Sequence, residues 1–287
     1  MIFIARNTLF ILLFTLFQRY AHSICRVRCK AVVKACARCT MLPKSARFIG
    51  HLAEKHLTPE AQYMCQKYLR YSLTYYASWM DHVANCKGYD HTRVWHGVRF
   101  NSKNKVLHRD GNNAVYQSQR LWNEMRNGGY KKLTDSAVID NLRFLIHMVG
   151  DMHCPSHNYY PEEPDFKPYS IRRNGKKVYF HKFWDRSAGF FNKGWRCDDF
   201  EQIDTYSEKE IKRICKGDVY KWAQINGKDM REVFSLLIKH TELRDMPKEN
   251  HERMREIVNF QLLRGAYRLA HILNDIFKDV KISDYEK

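Results

Sequence analysis

The stretch that decides the fold of this chain is His147-Met-Val-Gly-Asp151-Met-His153-Cys-Pro155-Ser-His157. His147 and Asp151 are four residues apart, so on a helix they project from one face, one turn from each other. Pro155 cannot continue that helix, and the break lets His157 turn back toward the same point. Imidazole and carboxylate groups are ligands that zinc prefers. The stretch therefore predicts a metal site at the end of a helix.

A second pair with the same spacing, His181 and Asp185, lies further along the chain. One such pair is weak evidence, because His271 and Asp275 share the spacing without another potential ligand nearby in sequence. For that pair we favour a solvated helix face. The stretch 147–157 is more specific, since three histidines and one aspartate fall within eleven residues. A helix end with core histidines remains the alternative interpretation.

The chain around these residues is predicted to be mainly α-helical, as a single multi-helix domain with one small β-hairpin. Its helix signals are N-capping residues, apolar residues at 3–4 spacing, and Gly or Pro at the ends. The hairpin signal is Asn174-Gly175, which suits a tight turn with positive φ values between strands 169–173 and 176–180. The first predicted helical stretch starts at Thr58 and continues to about Met80. The other predicted helices run from Asn113 to Arg126, from about Thr134 to near Cys154, from the Ser207/Glu210 capping box onward, and through Val258–Ile276.

Two further residues are candidate ligands on weaker grounds. Asp81 ends a predicted helix after Ser78-Trp79-Met80, and His96 follows Trp95. A lone aspartate at a helix end and a lone histidine are more often structural, so spacing alone does not select either of them.

The chain is strongly basic, with a net charge of +18 over 287 residues. Nine Lys or Arg fall within the first 47 residues, and no acidic residue precedes Glu54. The remainder carries 40 basic and 31 acidic residues, an excess of nine that favours an anionic partner such as nucleic acid. With 44% hydrophobic and 14% aromatic residues, the composition excludes a disordered or fibrous protein.

The first 46 residues differ from the rest. Residues 1–23 resemble a secretory signal peptide, with Arg6, the apolar run Thr8–Phe17 and a small-x-small site at Ala21-His22-Ser23. We therefore expect a secreted or periplasmic protein without a stable membrane anchor, and nine cysteines are compatible with disulfide bonds in that compartment. Residues 24–46 are basic, rich in cysteine and without helical periodicity. One hypothesis is that this segment reflects a shifted reading frame or a wrong start in the gene model.

The order and spacing of these motifs resemble the zinc-dependent single-strand nucleases of the S1/P1 type. The resemblance rests on Ser-Trp-Met-Asp81, Trp-His96, the stretch 147–157 and His181-Lys-Phe-Trp-Asp185, and spans about residues 47–277. It implies a mostly helical zinc domain over 47–287, related in fold to zinc phospholipase C. The zinc ligands it implies are Asp81, His96, His147 and Asp151 for one ion, and His157, His181 and Asp185 for its neighbour.

The resemblance also implies an activity and partners. Hydroxide activated on the zinc cluster would hydrolyse single-stranded DNA and RNA to 5'-phosphorylated products and remove phosphate from 3'-nucleotides. Asp81 and Asp151 would be the catalytic carboxylates, and the protein would act as a monomer. His153, Trp79, Trp95 and Trp184 stand beside the ligands and would support them.

Departures from the family pattern leave alternatives open. Asp151 would bridge to a third zinc, but the tryptophan and histidine that complete that site fall on Met41 and Ala46. His51 lies about one and a half helical turns beyond Ala46, and helix geometry points its side chain elsewhere, so it is a weak candidate to replace them. Ala84 stands where the family has an arginine. A zinc phospholipase C is one rival, although that group usually has Glu at the position of Asp185. A catalytically impaired protein that binds zinc or nucleic acid is the other.

Overall fold

The computed structural model describes residues 45–107, 111–163, 170–236, 239 and 241–285. Most of these residues are helical, as predicted, and the strands form two small sheets. The segments predicted as signal peptide and cysteine-rich region lie outside the described residues, apart from Ser45 and Ala46. The α-helices are α1 (Ser45–Lys55), α2 (Pro59–Tyr68), α3 (Leu73–Tyr76), α4 (Trp79–Val83), α5 (Ala114–Met125), α6 (Asp135–Met152), α7 (Phe180–Trp184), α8 (Ser187–Phe191), α9 (Glu208–Ile214), α10 (Val219–Leu236) and α11 (Lys248–Phe277). Short 3₁₀ helices span Asp90–Trp95, Gly129–Lys132, Pro155–His157, Asp198–Ile203, Leu243–Asp245 and Ile282–Asp284.

Helix α6 is the element on which the motif 147–157 depends. The side chain of Thr134 caps its first turn by accepting the N–H of Ala137 at 3.3 Å. Val138, Leu142 and the residues that follow at helical spacing are buried, so one face lies in the core. The helix ends at Met152, and a 3₁₀ turn that begins at Pro155 follows it. The predicted start and end of this helix are therefore confirmed.

Helix α11, 30 residues long, packs against α1 and α6 to form the centre of the domain. Small residues allow the close approach of these helices. A Cβ atom on Gly265 would lie 2.7 Å from Ile49 Cδ1 and 3.2 Å from His153 Cγ. A Cβ atom on Gly150 would lie 2.9 Å from the Cβ of Ala46. The start of α1 is thus held directly against the end of α6.

The two small sheets also position the motif residues. Strands β1 (Val98–Arg99) and β2 (Asn158–Tyr159) pair in parallel and tie the segment after His96 to the segment after His157. Strands β3 (Ser170–Arg173) and β4 (Lys176–Tyr179) form the predicted hairpin. Asn174 and Gly175 have φ values of 51° and 73°, as a tight two-residue turn of this type requires. The parallel pair was not predicted.

The predicted helical stretch from Thr58 to about Met80 is broken in the structure. Helix α2 ends at Tyr68, and Ser72 caps the separate turn α3 by accepting the N–H of Tyr75 at 3.3 Å. Ser residues favour caps over helix interiors because their side chains bond to nearby backbone groups. The breaks redirect the chain so that α4 brings Asp81 toward α6.

No helix among the described residues is both long enough and apolar enough to cross a membrane.

Candidate metal centre

The first group of predicted ligands converges on the end of α6. His96 Nδ1 lies 3.0 Å from Asp151 Oδ2, and His147 Nε2 lies 3.1 Å from the same oxygen. Asp81 Oδ1, on α4, is 3.7 Å from the His96 nitrogen and 3.8 Å from the His147 nitrogen. Side chains separated by up to 70 residues in sequence thus place nitrogen and oxygen atoms around one point.

The second group lies beside the first. His157 Nε2 is 3.2 Å from Asp185 Oδ1, and His181 Nε2 is 3.3 Å from Asp185 Oδ2. The rings of His157 and His181 have centroids 4.8 Å apart. His181 and Asp185 meet because they lie one turn apart on and just after α7, as their spacing predicted.

Asp151 connects the two groups. Its Oδ2 faces His96 and His147, while its Oδ1 lies 3.6 Å from His157 Nε2. The structure therefore brings all seven predicted ligands together, and whether they bind metal stays a prediction. The side chains of His147, Asp151 and His157 are at most 8% exposed, whereas those of Asp81 and His181 are 30% and 53% exposed. The cluster is thus open to solvent on the side of Asp81 and His181.

Backbone carbonyls fix the orientation of two of the imidazoles. His147 Nδ1 donates to the carbonyl oxygen of Ala77 at 2.8 Å, and His157 Nδ1 donates to that of His96 at 2.7 Å. A carbonyl oxygen can only accept, so each Nδ1 carries a proton, and when the ring is neutral its lone pair is at Nε2. Metal-binding histidines in proteins are commonly oriented in this way.

The electrostatics of the cluster follow from this packing. Burial alone would raise the pKa of Asp151, but His147 and His157 outweigh it and hold the pKa well below its usual value. The pKa of Asp185 is lowered in the same sense by His157 and His181 despite its burial. Burial would lower the pKa of His157, yet Asp151 and Asp185 raise it to about 9. Positive charge on the neighbouring histidines thus offsets the burial of Asp151 and Asp185.

The residues present fit zinc ions. The donor set is histidine nitrogen and carboxylate oxygen, and the Nε2 atoms of His147 and His157 lie 3.1 Å and 3.6 Å from the carboxylate oxygens of Asp151. A proton on His96 Nδ1 can serve only one of its two acceptors, Asp151 Oδ2 and His147 Nε2, and Asp81 Oδ1 lies 3.7 Å from the same nitrogen. A cation among these atoms would satisfy all of them.

Comparison with known protein families decides the class of this protein. The S1/P1 nuclease family matches residues 46–278, which is most of the chain. The chain belongs to the S1/P1 nuclease family. No curated protein matches it. Members of this family are hydrolases that act on ester bonds of nucleic acids, and the family is in general zinc-dependent.

In this S1/P1 family member, two residues beside the clustered ligands, Cys154 and Ser156, were not predicted from the sequence as part of the site. Ser156 Oγ donates to Asp185 Oδ1 at 3.1 Å, and Cys154 Sγ lies 3.8 Å from the same oxygen. Burial, and then the charge of Asp185, raises the pKa of the Cys154 thiol well above its usual value, so it stays protonated at neutral pH. Both residues lie inside the motif 147–157, and that position is the signal that could have identified them.

The resemblance implied a third zinc site with ligands at positions 41 and 46. Position 46 is described in the structure, and its residue offers no side-chain ligand. Ala46 lines the cleft together with Asp81, His147 and Asp151, and its methyl group cannot bind a metal. Met41, the other position, lies outside the described residues. His51 points away from the cleft, as predicted, because its Nε2 bonds to Glu201 Oε1 at 2.9 Å.

His51, Asp198 and Glu201 form another group of potential metal ligands on the surface. Lys55 Nζ lies 3.0 Å from the same Glu201 oxygen that His51 contacts. The Lys55 ammonium group already neutralises part of the negative charge of Asp198 and Glu201. A metal ion is therefore less favoured at these three residues than in the cleft.

The residues predicted to support the ligands are buried around them. His153 Nδ1 donates to the carbonyl of Val149 at 2.7 Å, and its Nε2 accepts from Arg268 Nη1 at 2.8 Å. Arg268 Nη1 also donates to Asn226 Oδ1, and Asn226 Nδ2 donates to the carbonyl of Met152. This network holds the end of α6 next to Asp151. Trp79, Trp95 and Trp184 are each less than a tenth exposed and pack against other aromatic rings.

Proposed function

We propose that this protein is a zinc-dependent endonuclease that hydrolyses single-stranded DNA and RNA to 5'-phosphorylated products and also removes phosphate from 3'-nucleotides. The observation that carries the proposal is the placement of Asp151 between the two histidine groups, 3.1 Å from His147 Nε2 and 3.6 Å from His157 Nε2. One carboxylate shared by two adjacent ligand sets is suited to holding two cations close to one phosphate.

The seven clustered residues would hold two zinc ions. Asp81, His96, His147 and Asp151 would bind the first, and His157, His181 and Asp185 would bind the second. Bound zinc would lower the pKa of a water molecule and offset the negative charge of the phosphodiester. Ala46 offers no ligand for a third ion, so we propose two ions for each chain.

The protein's own groups would orient the reactants. The carbonyls of Ala77 and His96 keep the Nε2 lone pairs of His147 and His157 directed at the site. Asp81, with its side chain 30% exposed, is the carboxylate of the first group that solvent reaches most easily. We assign it the role of accepting a hydrogen bond from the attacking water, and we assign Asp151 the role of fixing both ligand groups.

Substrate selection would depend on the phosphate and on stacking rather than on base identity. A cleft that binds phosphate and stacks a base reads no sequence, because every base has an aromatic face. Single strands fit such a site better than duplexes, whose bases are already stacked and paired. We therefore propose weak base preference.

We also propose that the protein is exported and acts as a monomer. The signal-like segment 1–23 supports export, and cleavage after Ser23 would leave Ile24 as the first residue. N-terminal sequencing of protein recovered from the medium or periplasm tests this directly. Retention of Met1 in the mature protein would contradict it.

The activity is tested with the purified full chain, added zinc and a single-stranded oligonucleotide, followed by analysis of the product ends. We expect 5'-phosphorylated products whose release stops on chelation and resumes when zinc is restored. Inorganic phosphate should also be released from a 3'-nucleotide and not from the 5' isomer.

Two results would contradict the proposal. Cleavage that is insensitive to chelators would exclude the zinc mechanism. A folded, zinc-loaded protein that binds the oligonucleotide without cleaving it would identify a catalytically impaired relative instead.

A further inference from the structure

The β3–β4 hairpin has two different faces, which its register defines. Tyr179 pairs with Ser170, and Lys177 pairs with Arg172. Directly paired residues lie on the same face and side chains alternate along a strand, so Tyr179, Lys177 and Arg172 share one face. Ile171 and Val178 lie on the other face, which packs toward the core. We call the first of these the outer face.

The outer face carries one large exposed ring and two cations, and the Arg172 guanidinium also donates to the carbonyl of Gly175 at 2.7 Å within the turn. Tyr179 is 63% exposed, more than any other large hydrophobic residue in the described part of the chain. Arg172 and Lys177 stand directly opposite each other, and like charges at such positions destabilise a hairpin. Among the described residues, Glu242 accepts the backbone N–H of Gly175 at the turn. Arg172 and Lys177 thus offer two cations to an anionic ligand beside the exposed ring, although Arg173 and Lys176 repeat the like-charge pairing on the other face.

The aromatic ring and the cations also lie side by side. Lys177 Nζ is 4.8 Å from the centre of the Tyr179 ring. An exposed aromatic ring with an adjacent cation is the arrangement that binds single-stranded nucleic acids, in which a base stacks on the ring and the cation contacts the backbone.

This face adjoins the candidate metal centre. Strand β4 ends at Tyr179 and α7 begins at Phe180, so Tyr179 precedes the ligand His181 by two residues. Two residues of chain span at most about 7 Å, so the Cα atoms of Tyr179 and His181 lie within that distance. His181 is also the most exposed of the seven clustered residues, so the hairpin joins the cluster at its most open ligand.

We infer that the outer face of the hairpin binds the single-stranded substrate beside the cleft, with Tyr179 stacking on a base and Lys177 and Arg172 contacting phosphates. The inference rests on the proposed function, because it names the surface that would guide the strand to that site. A general basic patch would bind through both faces of the hairpin, whereas this inference assigns substrate binding to the outer face alone.

The test measures binding apart from cleavage. The full chain is kept metal-free with a chelator, and the fluorescence anisotropy of a labelled oligothymidine reports its affinity at several salt concentrations. Tyr179→Ser should weaken binding at least about fivefold, the lower range for loss of a stacked base, and Tyr179→Phe should retain it. Lys177→Gln should weaken binding and reduce the salt slope by about 0.7, as loss of one phosphate contact to a single strand does.

Lys176→Gln is the matched control, because it removes the same charge from the adjacent residue on the opposite face. It should change affinity much less than Lys177→Gln. With zinc restored, Tyr179→Ser and Lys177→Gln should raise KM for the oligonucleotide and leave the rate on a small chromogenic phosphodiester unchanged.

Each other outcome has a defined meaning. Normal cleavage by the wild-type chain with unchanged KM and affinity in Tyr179→Ser, or equal effects of Lys176→Gln and Lys177→Gln, would overturn this inference alone. Tighter binding to phosphatidylserine vesicles than to the oligonucleotide, weakened by Lys177→Gln, would assign the face to membranes and overturn it as well. Neither binding nor cleavage by the wild-type chain would overturn both this inference and the proposed function.

Discussion

The Nε2 atom of His147 lies 3.1 Å from the Nδ1 atom of His96. His147 already donates its Nδ1 proton to the carbonyl of Ala77, so its Nε2 faces His96 as a lone pair. Two ring nitrogens and the carboxylates of Asp81 and Asp151 thus compete for any one proton. A cation among the four groups would stabilise this arrangement.

Asp151→Asn should remove zinc binding from both ligand groups, because one neutral amide replaces the carboxylate that they share. We expect kcat/KM for an oligonucleotide to fall more than about hundredfold, beyond the usual effect of a residue that only supports a ligand. Zinc content by mass spectrometry measures the cause directly. Asp275→Asn is the control, since Asp275 also follows a histidine at the same spacing but accepts Trp122 Nε1 at 2.8 Å away from the cleft. Equal zinc loss in both variants would contradict the assignment.

The zinc-loaded chain should hold two ions. Ala46 occupies the described position of the third site and has no ligating atom in its side chain. Equilibrium dialysis against buffered zinc, combined with a protein concentration from amino-acid analysis, gives the stoichiometry. Three tightly bound ions would show that another residue completes the third site.

The metal-free chain should lose stability as pH rises from about 6.5 to about 9. Asp151 and Asp185 overcome the effect of burial and raise the pKa of His157 from 6.5 to about 9 in the folded state. A group whose pKa is higher in the folded than in the unfolded state stabilises the fold fully at pH values below its unfolded pKa. This contribution is lost as the pH rises through the folded pKa. Urea unfolding of the chelated protein across this range measures it. A His157→Gln variant should show a flatter dependence, and an identical slope in both proteins would rule out His157 as the source.

Arg268→Met should destabilise the fold strongly. The change leaves two buried acceptors, His153 Nε2 and Asn226 Oδ1, without their donor. Each such loss costs about 1–3 kcal/mol, so the free energy of unfolding should fall by about 2–6 kcal/mol. Arg253→Met on the same helix is the control. Arg253 is half exposed and pairs with Glu232, so its loss should cost less than about 1 kcal/mol. Comparable losses in urea unfolding would show that the buried network does not hold the end of α6.

The sequence predicted the parts of the site that are local. The four-residue spacing of His147 and Asp151, and the break at Pro155, describe one helix end, and helical geometry converts that spacing directly into proximity. The hairpin turn at Asn174-Gly175 was also predictable, because positive φ values are costly for most other residues.

Contacts between distant segments could not be predicted in this way. Asp81 and His96 were selected as ligands only through the family resemblance. Nothing near them in sequence shows that α4 and the 3₁₀ helix before His96 lie close to α6. The role of the Ala77 and His96 carbonyls was missed for the same reason. The break after Tyr68 was missed because apolar residues recur through it, while the cap at Ser72 depends on the local backbone.

The most direct test of the account is anomalous diffraction at the zinc edge from crystals of the zinc-loaded protein. The account predicts two peaks, one about 2.0–2.1 Å from His147 Nε2 and one at the same distance from His157 Nε2, with Asp151 between them. Zinc peaks at His51 and Glu201 but none in the cleft would contradict it, as would a cleft in which His147 and His96 share only a proton.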